Sequence, residues 1–425
     1  MIFIELNEFN FELLEIASEK YNLPNIKKIL KYNKTKTITD DVYNSGYLEP
    51  WVQWVSIHTG LSSTKHQIQN LGDIPKLEVK QLWEKLSDSG ISTGIWGVMN
   101  GSRGNASYCN YFVPDPWSFS EKAYPDELND LLSLPRYISK NYLSYSKYHS
   151  ICLFRKLISR VVKSIGVVPF VKSFRILLKG LFKFKFKHFV FISWFEYLSV
   201  SVFTTYHKKK PSELSIIFIN TLAHLQHHYW VGGKDSVSEE ILFGLTVIDE
   251  MLSILISLEP KEESVLVANG LSQKNTNKDP PWILYRPKNP LGFIKAAGLN
   301  VERIEPLMTH DAHLFFCCKE DCVSAHNILS GARVKNKKLF FVQMDDDDKL
   351  KLFYRIDYTD LISDDECLTI NNLKLKFYHY FKAIVVRTGK HIPEGVLLSC
   401  NLKVEDEIYN HEISKVIIQH LERGS

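Results

Sequence analysis

Short apolar runs alternate with stretches of helical period along most of this 425-residue chain, and that alternation constrains the fold more than any other feature. Ile2–Leu6 is a compact apolar run, and 11–20 follows with helical spacing. Pro24 and Asn25 open a second helix. Pro50 sits at the first turn of a helix that Gly60 ends, and a helix over 79–88 leads into a strand over 92–98. After a break the pattern resumes with a strand at 214–220, a helix over 240–258 and a strand at 264–268. A late strand at 383–387 and a closing helix over 411–421 complete it. Strands separated by helices at this interval predict an α/β fold, a mostly parallel sheet sandwiched by helices.

Between 137 and 210 the character changes. Basic residues from Arg155 to Lys187 interleave with aromatics, as in the run Leu181-Phe-Lys-Phe-Lys-Phe-Lys187, with few acids. This segment reads as a helical insertion into a core formed by 1–136 and 211–425. It holds no charge-free apolar run of about 18 residues, so it is not expected to span a membrane. Three uses remain open: a lid or dimer helix with a solvated basic face, contact with an anionic membrane surface through 155–190, or nucleic-acid binding. The net charge of +4 is too small to favour nucleic acid. The seven cysteines lack the paired CxxC spacing of a zinc site, and Cys317, Cys318 and Cys322 read as buried thiols rather than a metal cluster. They suit a reducing compartment. The chain opens on a core-like strand with no basic and apolar leader ahead of it, which predicts a cytoplasmic protein, peripheral at most to the inner membrane face.

Histidines mark the chemistry. In Ala223-His-Leu-Gln-His-His-Tyr-Trp230, helical spacing puts His224, His227 and His228 on one face, an arrangement suited to a metal or a phosphate and unusual for a plain core. His391 follows Thr388-Gly389 in a turn after a strand, where α/β folds commonly place their chemistry. Gln273 lies just beyond another strand end.

Five segments, in order, resemble the alkaline phosphatase-like superfamily of phosphodiesterases and sulfatases. Thr59-Gly60 followed by His66-Gln-Ile68 is similar to its Thr-Gly and His-Gly-Ile pattern. Ile2–Leu6 resembles its first strand, which ends in a metal-binding Asp. Asn220-Thr-Leu-Ala-His224 resembles its Asp-x-x-x-His motif, and Asn269-Gly270 stands where Asp-His is usual. Thr388-Gly-Lys-His391 resembles the segment carrying its last metal-binding His.

The resemblance implies two divalent ions and a hydroxyl nucleophile at a helix N-terminus. This chain departs from it. Glu5 occupies the first-strand position, with Asn7 and Glu8 beside it as residues that could equally bind an ion, and the nucleophile position falls on Glu49-Pro50. What the resemblance implies here is one reduced site, with Asn220, His224 and His391 holding a zinc or manganese ion or none at all. Glu49 and Glu5 are the catalytic candidates, Glu49 as a general base. His227, His228, Asn269, Gln273 and Trp54 are the substrate contacts. A phosphodiesterase or a phospho-group or glycan-modifying transferase follows. Its partner would be a phosphorylated or nucleotide-linked small molecule or glycan, not nucleic acid. The Glu49-Pro-Trp51, Gln53-Trp54 and Thr59-Gly60 pattern resembles bacterial chains linked to surface polysaccharide production. The alternative is a degenerate homologue that binds such a ligand without turnover.

Overall fold

The computed structural model describes the chain except residues 40–47, 142–145, 233–234, 260–263, 278–279, 308–309, 346–347, 403 and 425, and the side chains of 423 and 424. Its contacts divide the chain into two compact units, 1–275 with 389–425, and 276–388.

The first unit is built on an eight-stranded sheet. Strands β1 (Ile2–Leu6), β2 (Asn33–Ile38), β3 (Thr93–Val98), β4 (Cys109–Pro114), β5 (Leu214–Ile219) and β6 (Val265–Ala268) are joined by Gly395–Ser399 and Glu407–Tyr409. From edge to edge the order is Glu407–Tyr409, β2, Gly395–Ser399, β6, β1, β5, β3, β4, with Gly395–Ser399 alone running against its neighbours. Strand β1 is central, Ile4 lying between Ile217 of β5 and Val267 of β6. Every residue of β1 and β6 is buried, as a parallel strand covered on both faces requires.

The pleat of β1 divides two cores. Ile2, Ile4 and Leu6 face one that includes the helices His188–Lys209 and Glu239–Ile256. Phe3 faces the other, with Trp54, Ile57, Trp83 and the closing helix Ile413–Gly424. The helix Pro50–Thr59 on that second face starts at Pro50, whose missing N–H costs nothing there, and stops at Gly60, which is left-handed at φ +70°.

The basic segment is helical, with Lys147–Ile165, Val167–Phe184 and His188–Lys209. It is not an appendage. Leu157, Val161, Ile176, Phe189 and Leu198 join the first core.

Residues 276–388 form the second unit, a division the sequence reading did not make when it assigned all of 211–425 to one core. Here an antiparallel four-stranded sheet runs Phe340–Met344, Lys351–Ile356, Asp311–Phe315, Arg303–Pro306. Tyr285, Phe293, Leu314, Leu329, Tyr354 and Phe381 fill its own core. The strand expected at 383–387 belongs to this unit, as Phe381–Arg387 paired with Trp282–Pro287. Of the three cysteines expected as buried thiols, Cys322 is buried, Cys318 is half-buried and Cys317 is exposed.

Candidate metal centre

Strand β1 stops at Leu6, and the chain then turns sharply. Glu8 takes a left-handed conformation at φ +57°, which costs a residue with a Cβ about 1–2 kcal/mol. Neighbours hold it there. Its N–H donates to the Asn269 carbonyl at 2.9 Å, and its carbonyl accepts from Gln226 Nε2 at 2.8 Å. The carboxylate is thereby aimed over the C-terminal ends of β1, β5 and β6, where open α/β sheets bind their ligands. Asn7 Nδ2 donates to Oε1 at 2.8 Å and Gln273 Nε2 to Oε2 at 2.5 Å.

Two imidazoles converge on the same carboxylate. His227 comes from the helix Thr221–Tyr229, with Nε2 at 3.0 Å from Glu8 Oε2. His391 comes from the strand Gly389–Ile392, which pairs with β7 (Ser272–Asn275) so that His391 lies opposite Gln273. Its Nε2 is 2.9 Å from the same oxygen and 3.1 Å from His227 Nε2.

The far nitrogen of each ring decides the chemistry. His227 Nδ1 meets the Gly389 carbonyl at 3.2 Å, and His391 Nδ1 meets the Leu48 carbonyl. A carbonyl only accepts, so both rings carry their proton on Nδ1 and, when neutral, turn the Nε2 lone pair inward. Two lone pairs and a carboxylate then face one another with ligand atoms within 4.8 Å. Once the rings are neutral, a cation is what reconciles three converging acceptors. Two imidazoles and one carboxylate form a ligand set that suits a catalytic zinc with one coordination position open. Carbonyls on the outer nitrogens are the usual second-layer partners of metal-binding histidines. The donor set therefore fits a divalent ion.

Burial by itself would raise the pKa of Glu8. The charges His391 and His227 can carry, with their hydrogen bonds, outweigh that and hold it well below the usual range. Glu49 borders the cluster at the N-cap of Pro50–Thr59, with Oε2 4.0 Å from His391 Nδ1 and no cap bond from its own side chain. Its side chain is 17% exposed, like His227 at 16%, against 5% for Glu8, so the carboxylate of Glu8 is the most buried member of the group.

The residues singled out in the sequence fall into two groups. Gln273, His227, His391 and Glu49 come together. Glu5 does not. The pleat points it, like Phe3, under the helix Pro50–Thr59, where Oε1 lies 2.6 Å from His58 Nε2 and both residues are fully buried. The strand ends one residue past Glu5, and the turn brings Glu8 to the place the resemblance had implied for Glu5. Asn220 Oδ1 is engaged within the fold, accepting from Asn7 Nδ2 at 2.8 Å. His224 lies beside the cluster, edge-on to His228 at 4.5 Å and to His188 at 5.6 Å, with a pKa lowered to about 4 chiefly by burial. One helical turn separates it from His227, and His227 takes the inward position. His228 makes ring contacts with His224 at 4.5 Å and with His227 at 6.3 Å.

Asn269 is occupied by the fold, Nδ2 donating to the Phe9 carbonyl and Oδ1 accepting from Val396 N–H. Trp54 is wholly buried with Nε1 on Asn7 Oδ1 at 2.7 Å, and so presents no surface to a substrate. Gly270, at φ +73°, packs so closely on Trp54 that a Cβ would lie 3.0 Å from the indole, so any side chain there is strained and presses on the ring.

Sequence reasoning missed Glu196 and noted Gln226 only as a companion of the three histidines. Gln226 receives the Asn10 N–H at 3.0 Å as well as holding Glu8. Glu196 accepts from the N–H groups of Asn220 and Thr221 at 2.7 and 3.0 Å, securing the start of the helix that carries His227. Buried glutamines and an acid in an otherwise acid-free helix were the available signals.

No profile of a known protein family matches the chain, and no curated protein matches it. Among solved structures it is similar to human ectonucleotide pyrophosphatase/phosphodiesterase 5, at 11% identity and a TM-score of 0.48, covering 99% of this chain and 94% of that one. It is also similar to phosphonoacetate hydrolase from Sinorhizobium meliloti in complex with phosphonoformate, at 10% identity and a TM-score of 0.48, covering 99% and 95%.

Proposed function

We propose that this chain is a single-metal phosphodiesterase or phospho-group transferase of alkaline phosphatase-like architecture. The observation that carries the reading is the convergence of Glu8, His227 and His391 with both outer imidazole nitrogens pinned to carbonyls. Glu8, His227 and His391 would hold one zinc or manganese ion. Such an ion supplies charge neutralisation and polarisation to a phosphoryl group.

The chain's own residues supply the rest. Asn7 and Gln273 hold the Glu8 carboxylate in place. Glu49, at a helix N-terminus that favours its ionised form, accepts the proton of an acceptor hydroxyl or water. The acceptor oxygen then bonds to phosphorus as the bond from phosphorus to the leaving oxygen breaks. Among the described residues no hydroxyl stands at the start of Pro50–Thr59, which supports transfer directly to the acceptor without a phosphoenzyme. The sequence pattern around Glu49 and Trp51 supports a nucleotide- or lipid-linked surface-glycan precursor as substrate. The packing of Asn269 and Gly270 supports one ion rather than two.

Elemental analysis of the purified protein, with and without added zinc or manganese, tests this. One equivalent of metal is expected, lost in the His227→Ala, His391→Ala double variant and accompanied by cleavage of an activated phosphodiester. Absence of bound metal under every loading condition overturns the metal reading. Bound metal without turnover on phosphodiesters and nucleotide-sugars would favour the ligand-binding alternative.

A further inference from the structure

The helix Val167–Phe184 has two apolar faces. One carries Ser173, Ile176, Leu177 and Gly180 into the core. The other, with Val167, Val168, Val171, Leu178 and Phe182, is exposed and falls within roughly 100° of arc at 3.6 residues per turn. Phe182 is 94% exposed, and Phe186, just past the helix end, is 84% exposed and stacked on Phe191.

Arg175 sits inside the exposed arc, and Lys172, Lys179 and Lys183 line one edge of it. No Asp or Glu occurs from Lys147 to Phe195. Arg175 pairs with Glu250 and Lys183 with Glu239. Among the described residues, no ion pair joins Lys172, Lys179, Lys185 or Lys187.

Water is a poor occupant for so continuous an apolar ridge. A second copy would bring like charges together. Nucleic acid would satisfy the cations but leave three valines and a leucine unused. An anionic lipid bilayer satisfies both, with the apolar arc entering the acyl boundary while lysines reach back to the phosphates. We propose that the face built by Val167–Phe186 docks flat on an anionic lipid surface. Among the described residues no helix is long and apolar enough to cross a membrane, which leaves surface attachment.

The end of this face lies close to the metal centre. His188, two residues past Phe186, meets His224 at 5.6 Å, and His224 lies within one turn of His227. Docking would hold a phosphorylated headgroup near the cluster; that consequence rests on the preceding reading, and the docking does not.

The test is sedimentation of the full chain with vesicles of phosphatidylcholine alone and with added phosphatidylglycerol. Binding is expected only with the anionic lipid and should weaken as salt rises. A Phe182→Asp, Phe186→Asp variant should bind about tenfold or more weakly, as should a Lys172→Glu, Lys179→Glu, Lys187→Glu variant. Their circular dichroism and metal content should stay unchanged, which separates loss of docking from misfolding and from failure of the metal site. Equal binding to both vesicles, no binding to either, unaltered binding by both variants, or saturable binding to an oligonucleotide in place of lipid overturns the proposal.

Discussion

Two carboxylate–imidazole contacts stand three residues apart on the same strand end, and their surroundings make them different objects. Glu5 and His58 meet in a sealed core of Phe3, Trp54 and Trp83, where Glu5 Oε2 and His58 Nδ1 have no hydrogen-bond partner. Glu8, His227 and His391 meet at the sheet's rim. There the outer imidazole nitrogens have carbonyls, and both Glu8 oxygens have amide donors from Asn7 and Gln273. The first contact links β1 to the helix Pro50–Thr59 and has no room for a third party. The second leaves three acceptors facing each other. Ligand chemistry follows from where the outer partners and the opening lie, not from the residue types.

Breaking the sealed pair should have the largest effect. Glu5→Ala leaves His58 without a partner in a dry core and should cost about 3–5 kcal/mol in denaturant unfolding. Replacing both with Leu should recover most of that loss, because a well-packed apolar pair avoids the desolvation cost altogether. Metal content per folded molecule should be unchanged in both. A loss of metal in the Leu pair would show that the two contacts are not independent.

At the rim, Glu8→Gln should weaken metal affinity by at least about a hundredfold, since even outer partners of metal ligands are worth about 10–100-fold. Its stability without metal should shift less than in Glu5→Ala. Isothermal titration with zinc reads the first quantity and urea unfolding the second. Glu49→Gln sharpens the division of labour further. Metal affinity should hold while the turnover rate falls about a hundredfold, at the low end of what a general base contributes. A parallel fall in metal affinity would instead make Glu49 a ligand.

The smallest effect concerns His224. Its folded pKa is about 4, lowered by burial first and then by His188 and His227, against about 6.5 in an unfolded chain. Between those values the unfolded chain binds a proton that the folded chain does not. This contribution to stability is therefore present above about pH 6.5 and is lost as pH falls toward 4. Melting curves of metal-free protein across that range should show the decline, and His224→Gln should flatten it.

Much of the scaffold was legible in sequence because it depends on local rules. The apolar runs of β1, β5 and β6, Pro50 opening a helix and Gly60 ending it are all written in period and punctuation. The second unit was not legible. Its strands at Trp282–Pro287 and Phe381–Arg387 pair across nearly a hundred residues, and no local pattern states such a partner. The site was legible in part. His391, Glu49 and Gln273 follow strand or helix ends, and the histidine-rich helix announces itself by composition. Which of its histidines faces inward depends on the helix's rotation, set by Gln226 on the Glu8 carbonyl and by Glu196 at the helix start.

The sequence by itself determined the layered α/β character, the basic amphipathic helices and the histidine-bearing segments, since periodicity and charge are properties of short stretches. Only the tertiary structure decided that Glu8 rather than Glu5 is the carboxylate at the rim. The strand's end, a left-handed turn, a hydrogen bond from Gln226 and one donated to the Asn269 carbonyl make that choice, and the bonds join residues more than two hundred positions apart. Coordination geometry is a long-range property: the pleat hides Glu5, and the turn beyond the strand aims Glu8 at the rim.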